Sequence, residues 1–210
     1  MQPAEQIVQA VKDGDAALVR DLVRKDPRLA SVRDEKGVSI VMQAVYYRRN
    51  ELLSILLATD PPLDLFEAAA LGKPELMARL VDEDPADMTA CSPDGFTPLH
   101  LSCFFGHFHC AQLLIRRAAD VNAVADNPMA VAPIHSAAAG RHLDIVKLLL
   151  DEGARVNARQ HGGWTALHAA AMNGDQAMVD ALLEAGADAG LESDDGKTAA
   201  DMASGRVANL

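Results

Sequence analysis

Aromatic residues are scarce in this 210-residue chain: five Phe, two Tyr and one Trp. Ring packing therefore cannot supply the interior. Alanine and leucine must fill it, which favours close helix-on-helix packing over a sheet sandwich. Half of the residues are nevertheless apolar, which excludes a disordered chain and is enough for a core without disulfides. Cysteine is equally sparse. Three residues, an odd number and widely scattered, form no disulfide framework and suit a reducing, cytoplasmic setting. No apolar run approaches the roughly 18 residues that a membrane-spanning helix needs. The opening "MQPAEQIVQAVKDGD" has no basic region followed by an apolar stretch, so no signal peptide is expected. Positive charge is in deficit, with 19 Lys and Arg against 30 Asp and Glu and a net charge of −11. Basic pairs such as Arg48-Arg49 and Arg116-Arg117 are short. Nucleic acid is an unfavourable partner for such a surface, and a neutral or basic protein a better one.

Signatures of catalysis are missing too. "GVSI" and "GKPE" lack the spacing and lysine of a phosphate loop. One stretch does suggest chemistry. "TPLHLSCFFGHFHC", residues 97–110, holds His100, Cys103, His107, His109 and Cys110, which could be metal ligands or a Cys/His pair.

What is present is repetition. "GFTPLHLSCFFGH" from Gly95, "AVAPIHSAAAGRH" from Ala130 and "GWTALHAAAMNGD" from Gly163 superimpose, as do "LLIRRAADVNA", "LLLDEGARVNA" and "LLEAGADAGL". "DGKTAADMA" from Asp195 begins a further copy, with Asp201 in the place of His168. Earlier copies are marked by the residue between paired helices. It is Gly14, Arg48, Gly72, Gly106, Arg141 and Gly174 in turn, at intervals of 34, 24, 34, 35 and 33 residues. Each copy reads as two short helices. Thr97 is an expected N-cap with Pro98 at the first helical position, the Leu113-Leu114 pair and its equivalents form a buried stripe, and Gly153 and Gly186 end the second helix.

The pattern Gly, Thr-Pro-Leu-His, Ala pair, Gly-His, Leu pair and Gly-Ala-Asp-Val-Asn resembles the ankyrin repeat. It covers nearly the whole chain, strongly over 94–198 and in degenerate form before that. The resemblance implies an all-α solenoid of about six helix-turn-helix repeats plus a C-terminal half repeat, with short β-hairpin-like fingers. Repeat boundaries are expected near 1–33, 34–62, 63–93, 94–127, 128–161, 162–194 and 195–210, in one domain. "PAEQIVQAVKDGDAALVRDLVRKD" would be a polar N-terminal cap, and the last copy, ending at Leu210 after one helix, a short or incomplete one. The segment "ATDPPLDL" leaves no room for a finger before the third repeat, so a gap in the finger row is expected between Lys36 and Pro93. Phe66 is expected at the histidine position of that repeat.

Against this template the metal and thiol readings weaken. His100 shares its position with His135 and His168, which the family uses structurally, and His107 shares its position with His142. Cys103 and Cys110 fall on buried positions. Only His109 lacks a counterpart. No catalytic residue, metal site or cofactor is expected. The family implies a non-catalytic module that binds a protein on its concave face, built from fingers and first helices. On that face six of the eight aromatics occupy variable positions: Tyr46, Tyr47, Phe96, Phe104, Phe105 and Trp164. Asp126, Met129, Gln160 and His161 on the fingers, and Met172 and Asn173 before Gly174, complete the candidate partner-binding set. Trp164 is expected to be an exposed anchor. Phe104 and Phe105 could instead cover Ala70 and Leu71 where the finger is missing. Alternatives are self-association of a structural protein through the same aromatic face, or a small-molecule binder or enzyme, with a monomer expected for the first reading.

Overall fold

A computed structural model describes residues 2–203 and residue 207. Among these residues the chain forms thirteen α-helices. Twelve make six antiparallel pairs: α1 (Pro3–Asp13) with α2 (Ala16–Lys25), α3 (Ile40–Tyr46) with α4 (Asn50–Leu57), α5 (Leu65–Ala70) with α6 (Pro74–Glu83), α7 (Pro98–Phe105) with α8 (Phe108–Arg116), α9 (Pro133–Gly140) with α10 (Leu143–Asp151), and α11 (Ala166–Asn173) with α12 (Gln176–Glu184). The thirteenth, α13 (Ala199–Ala203), opens a seventh repeat. The expected ending of that repeat falls on 204–206 and 208–210, outside the described residues.

Single helices of five to eleven residues are too short to be stable alone. Each is held by its neighbours. Small residues at the centre of the first helices (Ala69, Cys103, Ala137, Ala138, Ala170 and Ala171) are buried and allow close approach. The leucines of the second helices, Leu114, Leu149 and Leu182, are also fully buried. Stacking, rather than any one pair, makes the core.

Fingers project between the pairs as tight turns, each closed by a backbone hydrogen bond across its base. Asp34 donates to Val38, Ser92 to Phe96, Ala125 to Val131, Gln160 to Trp164 and Ser193 to Lys197. Neighbouring fingers are joined in turn: Asp126 N–H to the Gly95 carbonyl (2.8 Å), His161 to Met129 (2.9 Å) and Asp194 to Gly162 (2.8 Å). The expected gap between Lys36 and Pro93 is not there. The 92–96 finger closes onto the 34–38 finger, and Pro93 lies against Gly37. What is interrupted is the hydrogen-bonded ladder. Pro93 occupies the position that donates in Asp126, His161 and Asp194, and proline has no N–H to give.

The same boundary divides the core. One apolar cluster runs from Ile7 to Leu56, through repeats one and two. The other includes Met42 and continues from Leu65 to Ala203. Between them lie the buried polar side chains Ser39, Gln43 and Glu67. Glu67, not Phe66, occupies the histidine position of the third repeat. Asp64 is the N-cap of α5, and Glu67 three residues later accepts the Asp64 N–H (2.8 Å), as the histidines do in other repeats. The register differs by one residue because Asp64 takes the threonine position. Glu67 is only 2% exposed, and burial raises its pKa above the ordinary 4.5, against the lowering influence of the Ser39 hydroxyl. Arg33, 3.8 Å away, is its nearest cation.

Five non-glycine residues hold positive φ: Arg48, Asp60, Ala118, Ala130 and Arg141. All five stand where other repeats carry glycine: Arg48 and Arg141 between paired helices, Asp60 and Ala118 at the end of a second helix, and Ala130 in a finger. Where glycine is kept, at Gly106, the reason goes beyond φ: an added Cβ would lie 2.3 Å from the His142 ring. Gly153 has the same backbone sign but open space around it. Gly153→Ala should therefore cost about 1 kcal/mol for the backbone alone. Gly106→Ala should cost clearly more, and denaturant titration of the two variants reads the order. A second expectation concerns the divided core. In native-state hydrogen exchange, amides of α1 and α2 should open at a lower free energy than those of α7, α9 and α11. A single common opening energy throughout would contradict it.

Candidate functional site

The concave face is built on a row of imidazoles. The His135 Nδ1 accepts the Ala132 N–H (2.9 Å), so the ring carries its proton on Nε2 and donates it to the Ala158 carbonyl (2.9 Å). His100 does the same between Thr97 and Val131, with Nε2 2.9 Å from the carbonyl, and His168 does so between Thr165 and Lys197 at 3.1 Å. Each ring thus ties the start of one first helix to the next finger. A second row lies at the inter-helix turns, where Nε2 of His107 reaches the Ala70 carbonyl (3.0 Å) and Nε2 of His142 reaches the Phe104 carbonyl (3.1 Å). Of the histidines of residues 97–110, His100 and His107 therefore belong to two different structural rows, and His109 belongs to neither, its ring meeting Phe108 edge-on at 5.8 Å. Cys103 and Cys110 are buried free thiols, pushed up by burial, Cys110 to about 11. Neither has thiolate character at neutral pH.

Over the first row lies an apolar hollow of about 290 Å³, walled by Tyr46, Phe96, Leu101, Phe104, Met129 and Val131, with His100, His135, Ser136, Ala139 and Gln160 beneath and beside them. It adjoins a second hollow of about 360 Å³ formed by Gln160, His161, Trp164, Ala169, Met172 and Asn173, the two sharing Ala139 and Gln160. Nine of the twelve candidate residues are brought together here. Tyr47, Phe105 and Asp126 line neither hollow. Residues missed by sequence reasoning are the small floor positions Ser136, Ala139 and Ala169 and the walls Leu101 and Val131. Their signal was the repeat position itself, since they face the same way as Phe104.

The aromatics divide into two groups. Phe104, Met129 and Met172 are exposed, at 42%, 54% and 47%, and Tyr47 at 52%. Tyr46 is half-buried. Its ring stacks on Phe105 at 6.0 Å, and its hydroxyl donates to Asp94 at 2.5 Å. That arrangement spans the boundary where the ladder breaks, linking repeat two to the 92–96 finger and to α7. Phe105 is half-buried between Tyr46 and Phe104, meeting the latter edge-on at 5.1 Å. Trp164, expected to be an exposed anchor, is half-buried instead and tilts against His168 with ring centroids 5.8 Å apart. The finger turn folds its ring back toward the helix below. Among the described residues no group of three or more His, Cys, Asp or Glu is placed to hold a metal ion, and no helix is long and apolar enough to cross a membrane.

Helix pairs stacked through such imidazoles and fingers define an ankyrin-repeat array, and family comparison agrees. Residues 65–160 match a model of three ankyrin repeats, and 162–194 match a single ankyrin repeat. The chain belongs to the ankyrin repeat family. It is 36% identical over 107 residues to the mouse (Mus musculus) B-cell lymphoma 3 protein homolog, covering 51% of this chain and 24% of that protein. It is 30% identical over 143 residues to the mouse ankyrin repeat and SAM domain-containing protein 6, covering 65% of this chain and 16% of that protein. An ankyrin repeat protein of Rickettsia felis is 29% identical over 191 residues, covering 81% of this chain and 83% of that one. The chain thus spans a quarter or less of the two mouse proteins. Ankyrin repeats are in general protein–protein interaction modules.

Burial lowers the pKa of His100 and His135 from the ordinary 6.5, and their backbone hydrogen bonds only partly offset it. Protonation would also place an Nδ1–H against the backbone N–H it now accepts. The unfolded chain therefore takes up these protons first. Their contribution to stability should be complete above pH 6.5 and decline as the pH falls below it, through the lower folded values. Urea titrations between pH 7.5 and about 5 on the wild type and on His100→Asn/His135→Asn check this. The double variant should be less stable at pH 7.5 and show a shallower decline.

Proposed function

We propose that this chain is a non-catalytic, protein-binding module whose partner seats on the concave face over repeats two to six. The candidate contact residues are Tyr46, Tyr47, Phe96, Phe104, Phe105, Asp126, Met129, Gln160, His161, Trp164, Met172 and Asn173. One observation carries the reading: three large apolar side chains, Phe104, Met129 and Met172, are left open to solvent around two adjoining hollows. A monomer gains nothing from such exposure, and clustered apolar surface of this kind is the mark of an interaction site. Within the set the roles differ. Tyr46, Phe105 and Trp164 hold the walls in place, and the exposed three supply the area a partner would cover. No cofactor or metal enters the reading. Three free cysteines, two of them buried, support a reducing cytoplasmic setting. The runner-up is self-association through the same face, which the same exposed residues would serve.

Phe104→Ala/Met129→Ala/Met172→Ala is the decisive variant because its targets are not core. Its thermal midpoint should stay within a few degrees of wild type, while affinity capture from cytoplasmic extract, read by mass spectrometry, should lose the bound protein. Multi-angle light scattering should give one chain per particle. A dimer that the triple variant dissolves would favour self-association instead.

A further inference from the structure

The two banks of the first hollow carry opposite charge. The fingers at 92–96 and 125–131 bear Asp94 and Asp126 and no cation. The opposite bank is the row of turns in which the first helices end. In repeats two to five these turns read Arg48-Arg49, Gly72-Lys73, Gly106-His107 and Arg141-His142, with no carboxylate among them. In repeat six the turn is Gly174-Asp175, and that carboxylate is engaged as the N-cap of α12, accepting the Met178 N–H. Asp94 is engaged by Tyr46 and Ser92, and Arg49 lies over Gly14. By contrast Asp126 on one bank and Arg48 and Arg141 on the other form no ion pair among the described residues. Charge of both signs is therefore available to a partner, sorted to the two sides of an apolar floor.

The backbone of the finger row restricts what can lie there. An extended segment adds to a protein by pairing with free N–H and C=O groups along an edge. Over repeats four to seven the donors Asp126, His161 and Asp194 and the acceptors Gly95, Met129 and Gly162 are already joined to one another. Strand addition has no free edge there. The floor, in turn, is made of Ser136, Ala139 and Ala169, small side chains that let a rounded backbone come close between Phe104 and Trp164. An α-helix, about 10 Å across, suits such a trough.

We infer that the concave hollow takes an amphipathic α-helix, its apolar stripe over Phe104, Met129 and Met172, its finger-side flank rich in Lys or Arg and its turn-side flank rich in Asp or Glu. This inference rests on the protein-binding reading of the same hollow and adds the partner's shape and charge pattern. Sorted banks also fix direction. A helix with sorted flanks meets opposite charge in one orientation and like charge when reversed.

Three synthetic 18-residue helical peptides test this. All share equal numbers of Lys and Glu. The first has a Leu/Met stripe with Lys on one flank and Glu on the other. The second has the same stripe and composition with Lys and Glu alternating on both flanks. The third has sorted flanks and Ala in place of the stripe. Fluorescence anisotropy at low ionic strength should rank the sorted peptide at least about tenfold tighter than the alternating one, with the Ala peptide weakest. The advantage of sorting should shrink at 0.5 M salt, where screening acts within about 4 Å. It should also shrink in Asp126→Asn/Arg141→Gln, checked by its melt to be folded. Equal binding of sorted and alternating peptides would overturn the charge pattern while leaving the hollow a binding site. Binding that persists in the Phe104→Ala/Met129→Ala/Met172→Ala variant would overturn the location. Failure of all three peptides would overturn the helical occupant, and the capture experiment then decides the broader reading by itself.

Discussion

A neutral imidazole that accepts a backbone N–H on one side and donates to a carbonyl of the next finger on the other is the joint on which this array depends. Without it the N–H at the helix start and the carbonyl of the neighbouring finger would each be left unsatisfied, at about 1–3 kcal/mol apiece. With it, a helix of eight residues becomes one course in a continuous stack, and its concave side is held in fixed register. Three such joints, at His100, His135 and His168, fall where the stack is most regular. In the third repeat a buried glutamate, Glu67, stands in that position instead. It caps its own helix but reaches Arg33 only at 3.8 Å.

That substitution coincides with three other features of the same boundary. The finger is missing, Pro93 interrupts the finger ladder, and the apolar core divides into two clusters. The side chain that spans it is Tyr46, with its ring on Phe105 and its hydroxyl on Asp94. One wall of the concave hollow is thus the same group that braces the weakest interface in the stack. The shape of the hollow and the cohesion of the first two repeats with the rest are physically linked through it.

Much of this was legible in the sequence because repetition fixes both spacing and facing direction. The helix pairs, the structural roles of His100 and His107, the burial of Cys103 and Cys110, and the eroded glycines at Arg48, Ala118, Ala130 and Arg141 all follow from alignment of the chain with itself. Three things did not. Spacing puts Phe66 one position out of register because Asp64, not a threonine, caps α5. It implies a gap at the missing finger because sequence does not show that adjacent fingers can close over it, as Pro93 does on Gly37. Aromatic identity does not establish exposure, since whether a ring such as Trp164 folds back depends on the turn that carries it.

On the proposed reading the exposed apolar side chains of the concave face serve a partner and not stability. Methionine offers a direct probe, since Met129 and Met172 sit in the open hollows while Met77 and Met178 are fully buried on the second helices α6 and α12. With 13C-methyl methionine labelling, addition of the captured partner should shift or broaden the Met129 and Met172 signals and leave Met77 and Met178 in place. Saturating partner that leaves Met129 and Met172 unmoved while other signals change would contradict it.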